Sequence, residues 1–184
     1  MYLGSKCRAE AGLSMVELLM ALAIVSITLM MGLPLMMQPR VSGHAVSASN
    51  QLAASLATAR SIARSSGERI IVCPYEGAMR CRNDGVWDVG WLVFVARGDE
   101  RQPAQTDDIL RVVQPAGGAS SQRIRSSPSR SLVRFLPDGR AAGTNLTIRI
   151  CPGDENRVMS EMVVNNFGRV RVKRPRPAVP IPCL

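Results

Sequence analysis

The chain has 184 residues and carries 23 Lys and Arg against 14 Asp and Glu, a formal net charge of +9. That is length for one modest domain plus an appendage. One histidine (His44), no phosphate loop, no C-x-x-C spacing and no nucleophile–base pair speak against an enzyme, a cofactor or a metal site.

The first twelve residues hold Lys6, Arg8 and Glu10. From Leu13 to Met37 the chain is apolar for 25 residues, with Glu17 as its only charge. At about 1.5 Å per residue, a helix of that length crosses a hydrocarbon core of about 30 Å. The preceding cations keep the N-terminus cytoplasmic, so everything after the span is periplasmic. A cleavable secretory signal would have a shorter apolar core. Glu17 is the oddity: a carboxylate inside a membrane segment is costly and asks for a partner.

Pro34 and Pro39 are expected to kink or interrupt the helix. His44 reads as a linker residue. Val46, Leu52, Leu56, Ala59, Ile62 and Ala63 then return at helical spacing, which predicts an amphipathic helix from about 42 to 66, ended by Gly67. After Gly67 come short β-branched runs bounded by turn residues: "RIIVC" (69–73), "GWLVFVA" (90–96), "DILRVV" (108–113), "SLVRFLP" (131–137), "LTIRIC" (146–151), "RVMSEMVV" (157–164) and "GRVRVKR" (168–174). "PDG" (137–139) and "NNFG" (165–168) supply turns, and "QPAGGASSQ" (114–122) reads as a loop. Trp87, Trp91 and Phe94 read as core or sheet-face residues. The fold class is α+β, one long N-terminal helix packed on antiparallel sheets.

Cys73, Cys81, Cys151 and Cys183 follow the apolar run; Cys7 precedes it. Four cysteines in an exported domain read as two disulfides with three possible connectivities. Pairing of neighbours is the expected one. Cys73–Cys81 would close the loop "CPYEGAMRC", and Cys151–Cys183 would pin the Pro-rich tail to a strand.

The charge is unevenly placed. Residues 120–184 hold twelve basic and four acidic groups, a net +8, so nearly all the excess lies in the last third. Its densest part is "FGRVRVKRPRP" (167–177). On a strand, alternation puts Arg169, Arg171 and Lys173 on one face and turns Val170 and Val172 into the core. Arg174 and Arg176 follow in a Pro-stiffened segment, and Arg123, Arg125 and Arg130 in the preceding loop would widen the patch. Cations spread over roughly 7–20 Å match successive phosphates on a nucleic acid strand, with backbone contacts that do not read sequence. No interleaved aromatics point to base stacking. The competing reading is a solvated edge strand whose charge blocks aggregation.

Two resemblances gather these features. Gly12, then Leu13, Ser14, Met15, Val16 and Glu17, with Pro34 beyond, resembles the class III signal of type IV pilins and pseudopilins. "LATARSIARSSGERIIVCP" (56–74), "WDVGWLVFVARGD" (87–99), "FLPDGRAAGTNLTIRIC" (135–151) and "VVNNFGRVRV" (163–172) resemble the GspH/FimT-type minor pilins and pseudopilins. The first resemblance implies cleavage after Gly12 by a prepilin peptidase and methylation of the new amine on Leu13, although the first mature residue of such proteins is usually Phe. It implies that Glu17 pairs with the N-terminal amine of a neighbouring subunit in a filament. The implied organisation is a leader (1–12), a transmembrane helix (13–37), its amphipathic continuation (38–66) and a periplasmic β domain (67–184), anchored in the bacterial inner membrane and later part of a pilus with other pilin subunits. "GRVR" (168–171) resembles the Gly-Arg-x-Arg motif of FimT-type minor pilins, which bind double-stranded DNA in natural transformation. Carried over by position, Arg169 and Arg171 are the contacts and Gly168 shapes the turn. The alternative is an H-type minor pseudopilin of type II protein secretion.

Overall fold

A computed structural model describes residues 14–37, 39–98, 100–127, 129–141, 143–175 and 181–183, with the backbone course alone at 31–37 and 39–42. The chain divides into two compact units, Met1–Pro39 and Arg40–Leu184. Gly12, Leu13 and Arg176 lie outside the described residues.

In the first unit, helix α1 spans Met15–Met37. It continues through position 34, so Pro34 does not end it. Ser14 precedes the helix, and its Oγ accepts the Glu17 N–H at 3.3 Å, as a capping hydroxyl does. All residues from Ser14 to Met30 are exposed, among them Val16 at 61 % and Ile24 at 62 %. Ser26 and Thr28 turn their hydroxyls back onto the Leu22 and Ile24 carbonyls, at 2.7 and 3.0 Å, leaving the helix surface apolar. Among the described residues no helix is long and apolar enough to cross a membrane; the part of α1 with described side chains ends at Met30.

The second unit opens with α2, Pro39–Ser66. Proline suits a first helical turn, where its missing N–H has no partner to lose. His44 lies inside this helix rather than in a linker, because the helix starts earlier than its apolar stripe suggests. Ala45, Ala48, Leu52, Leu56, Ala59 and Ala63 form the buried face; Val46, expected on it, is only half-buried because the stripe begins at Ala45. Gly67 ends the helix with φ 71°, its N–H reaching the Ala63 carbonyl at 3.1 Å.

Among the described residues nine strands follow: β1 (Arg69–Gly77), β2 (Arg80–Cys81), β3 (Trp91–Ala96), β4 (Ile109–Val113), β5 (Gln122–Ser126), β6 (Val133–Phe135), β7 (Leu146–Pro152), β8 (Ser160–Val164) and β9 (Val170–Lys173). One sheet runs β2-β1-β3-β4, with β6 also on β1; the other runs β5-β7-β8-β9, and every pairing is antiparallel. The main core joins α2 to both sheets through Leu52, Leu56, Ile70, Trp87, Trp91, Phe135, Ile148 and Met162. Each such large side chain removed from water contributes about 1.5–3 kcal/mol. Ser49 of α2 and Ser160 of β8 meet by a buried hydroxyl–hydroxyl bond of 2.9 Å.

A second cluster, with Ile71, Leu92 and Phe94, lies on the other side of the first sheet. The Cys73–Cys81 disulfide belongs to it and joins β1 to β2. Cys151 of β7 is bonded to Cys183, and the two pack with Val158 in a third cluster. β5 corrects the sequence reading, which ended a loop at Gln122 and left Arg123 and Arg125 outside any strand. "QRIRS" has one apolar residue, yet Gln122, Ile124 and Ser126 are all buried, and the two polar ones donate to the Gly118 and Arg130 carbonyls at 3.0 and 2.9 Å.

Candidate nucleic-acid interface

Asn165, Asn166, Phe167 and Gly168 make the turn between β8 and β9. The Gly168 N–H donates to the Asn165 carbonyl at 2.9 Å, and the Asn165 N–H donates to the Arg169 carbonyl at 3.2 Å. Gly168 has φ 72°, the left-handed conformation that closes this kind of hairpin loop. The Arg169 N–H is held by Asn165 Oδ1 at 2.9 Å, which fixes where the first cation of the strand begins.

β9 is an edge strand with β8 as its neighbour. Its register sets Arg171 beside Val163 and Lys173 beside Glu161, on the face away from α2. Arg169, Arg171, Lys173 and Arg174 are all exposed. Among the described residues none of the four has an ion pair. The expectation that both valines point into the core holds only for Val170, which packs at the core margin; Val172 is 43 % exposed. The physical reason is the edge: Val170 shares a groove with Ala57 and Ser61 of α2, and among the described residues no further strand pairs with β9 beside Val172.

Of the cations expected to widen the patch, Arg123 and Arg130 do not, and Arg125 shares a groove with Arg149, Glu161 and Lys173 only as a paired cation. Arg123 and Arg125 sit on β5, at the opposite edge of the sheet, three strand spacings or roughly 14 Å from β9. Arg125 is paired with Asp88, and Arg149 with Glu161 at 3.0 Å, so the middle of that face is neutralised. Arg130 lines a separate pocket with Arg101 and Arg134.

Three residues that sequence reasoning passed over lie beside the turn. Phe167 stands at its tip, 73 % exposed. Arg60 of α2 reaches both neighbouring turns: its Nε donates to the Gly139 carbonyl at 2.9 Å and its Nη2 to the Phe167 carbonyl at 3.1 Å. Arg64, one helical turn on, lies along Gly139, where a Cβ would meet its Cδ at 2.6 Å. With Ser61, Ser65 and Arg169 these arginines line a groove of about 560 Å³. The available signal was the spacing of Arg60 and Arg64, four apart on one helix face. The carboxylate of this region, Asp138, is held below the usual range by the Arg140 N–H and then by the Arg140 guanidinium. Among the described residues no cluster of His, Cys, Asp or Glu is placed to hold a metal.

A family model described as type II transport protein GspH matches residues 48–168, about two thirds of the chain. The chain belongs to the GspH family. The GspH match covers most of α2 and the strands through β8, and stops at Gly168, one residue before the first cation of the β9 segment. Two crystal structures of the type IV minor pilin FimU of Pseudomonas aeruginosa (strain PAO1) share the fold. The first is 20 % identical with a TM-score of 0.57, over 75 % of this chain and 97 % of that one. The second is 19 % identical with a TM-score of 0.53, over 72 % and 98 %. No curated protein matches the chain. The architecture is thus pilin-like, a long N-terminal helix packed on antiparallel sheets. Membership in the GspH family, the pilin and pseudopilin class, implies a structural subunit rather than an enzyme, assembly with other subunits, membrane anchoring and a periplasmic or pilus location.

Proposed function

We propose that this GspH-family chain is a minor type IV pilin that assembles into a pilus and binds double-stranded DNA through its phosphates, for uptake in natural transformation. One observation carries the DNA reading: Arg169, Arg171, Lys173 and Arg174 stand exposed along an edge strand with no ion pair among the described residues. A merely solubilising strand would serve as well with scattered charge. Here four cations fall within six residues on and flanking β9, while Arg125 and Arg149 of the same sheet are paired with acids. Arg176 continues the series in sequence.

The apolar N-terminal helix serves two stages of one life. Cleavage after Gly12 by a prepilin peptidase frees an amine on Leu13 for methylation. The span of residues 13–37 holds the waiting subunit in the inner membrane, and the same surface later packs into the filament. Residues 67–184 form the periplasmic domain. Glu17 pairs with the N-terminal amine of the next subunit, which removes the cost of its charge in an apolar setting.

The test is a DNA-binding measurement on the Arg40–Leu184 unit, which contains all three hydrophobic clusters and both disulfides. It should retard duplex DNA, and log K should fall against log salt with a slope of about −3.6 for about four phosphates. The folded double variant Arg169→Gln/Arg171→Gln should lose the shift; unchanged binding sinks the assignment. The description of the matching family, type II transport, favours a second reading, an H-type pseudopilin that binds other pseudopilins or cargo. A folded unit that binds no DNA even at low salt would decide for it.

A further inference from the structure

We propose that the groove between the last turns of α2 and the Gly139 and Gly168 turns is a second phosphate-binding surface, so that a bound duplex crosses from the hairpin onto α2. This rests on the DNA reading above and adds Arg64 and Arg60 to it.

The groove is built rather than incidental. Arg60 and Arg64 stand four residues apart on one helix face, about 6 Å between their Cβ atoms. Arg60 is fixed by the carbonyls of Gly139 and Phe167. Both acceptors are neutral, so its guanidinium is positioned without losing its charge. Gly139 has φ 79° and no side chain, which gives the Arg64 stem a bed against the turn. The head of Arg64 is left exposed, with no hydrogen bond or ion pair among the described residues. Arg169 borders the groove from the hairpin side, and Ser61 lines it with a hydroxyl group of the kind that binds phosphate oxygens, whereas the Ser65 hydroxyl donates back to the Ile62 carbonyl at 3.2 Å. Among the described residues no carboxylate lines it, and nearby Asp138 is already engaged by Arg140.

The bland account is that Arg64 offsets the negative end of the helix macrodipole, and Arg60 does nothing beyond holding turns. The two accounts differ in what Arg64 does to the salt dependence of DNA binding. Arg60 is unsuitable as the probe, because removing it frees two turns at once. Arg64 is suitable, since it holds no partner.

The experiment compares the Arg40–Leu184 unit with its Arg64→Gln, Arg64→Lys and Arg80→Gln variants, by anisotropy of a labelled duplex over a series of salt concentrations. Arg80 is an exposed cation on β2 and controls for net charge alone. Arg64→Gln should weaken binding severalfold and reduce the slope by about 0.9, one phosphate contact. Arg64→Lys should restore the slope, and Arg80→Gln should leave it unchanged. If Arg64→Gln changes the slope no more than Arg80→Gln does, the groove is not a contact, although a shift lost in Arg169→Gln/Arg171→Gln would keep the hairpin reading intact. If the unaltered unit binds no duplex at low salt, both readings fall.

Discussion

Gly168 stands directly against Gly139: a Cβ built on Gly168 would lie 2.1 Å from the Gly139 carbonyl oxygen. Both glycines hold positive φ, 72° and 79°. The same carbonyl accepts the Arg60 Nε–H, and the Ala141 N–H donates to the Asn166 carbonyl at 3.0 Å. Two turns from separate sheets are thereby held together at the end of α2, and the base of the cationic strand is set by that contact.

Gly168→Ala should therefore destabilise the domain by more than conformation alone demands. A left-handed alanine costs about 1–2 kcal/mol. The added methyl must also displace a backbone carbonyl, which is not free to swing away as a side-chain end would be. Gly118→Ala is the matched control, since Gly118 has φ 71° and nothing within 4 Å of its built Cβ. Urea unfolding should give a clearly larger loss at Gly168. Equal losses would mean that the packing of the two turns contributes nothing.

The two disulfides should differ in what they contribute. In the chain-entropy account the crosslink over 32 residues, Cys151–Cys183, stabilises by about 4 kcal/mol, and that over 8 residues, Cys73–Cys81, by about 2.5 kcal/mol. Replacing each pair by alanines and measuring the unfolding midpoint should show the larger drop for Cys151–Cys183. The reverse order would show that the buried packing of Cys73 against Leu92 and Phe94 outweighs loop closure.

Glu17→Ala should leave membrane insertion intact and damage incorporation into the filament. The substitution makes α1 more apolar, so fractionation should still find the chain in the inner membrane. What it removes is the proposed partner for the neighbouring N-terminal amine. Sheared filaments should then be depleted of this subunit. Normal incorporation would remove the role assigned to Glu17.

Several elements could be read directly from residue order. Leu52, Leu56, Ala59 and Ala63 recur at helical spacing because one stripe of α2 must leave water, and the structure buries all four. "GWLVFVA" is apolar throughout because β3 has a packed cluster on each face, and "LTIRIC" alternates over its first residues because one face of β7 turns to the core; they became β3 and β7. β5 could not be read this way. Its burial comes from pairing with β7, a strand more than twenty residues on, and two of its three inward residues are polar, each satisfied by a carbonyl four residues away. Val172 failed in the opposite sense: alternation says which face a residue takes, but an edge decides whether anything covers it.

Residue order by itself determined the apolar N-terminal run, the helical stripe, most strands, the hairpin turn at Gly168 and the concentration of positive charge near the C-terminus. These follow from interactions among residues a few positions apart, namely hydrophobic periodicity, backbone conformation and local charge. Only the tertiary structure decided which cations are left without acids. Arg125 and Arg149 were as basic in sequence as Arg171, yet Asp88 and Glu161 neutralise them. It also brought Arg60 to carbonyls 79 and 107 residues away and so created the groove beside Arg169. Such contacts depend on how sheets and helix close on one another, and no local pattern encodes that closure.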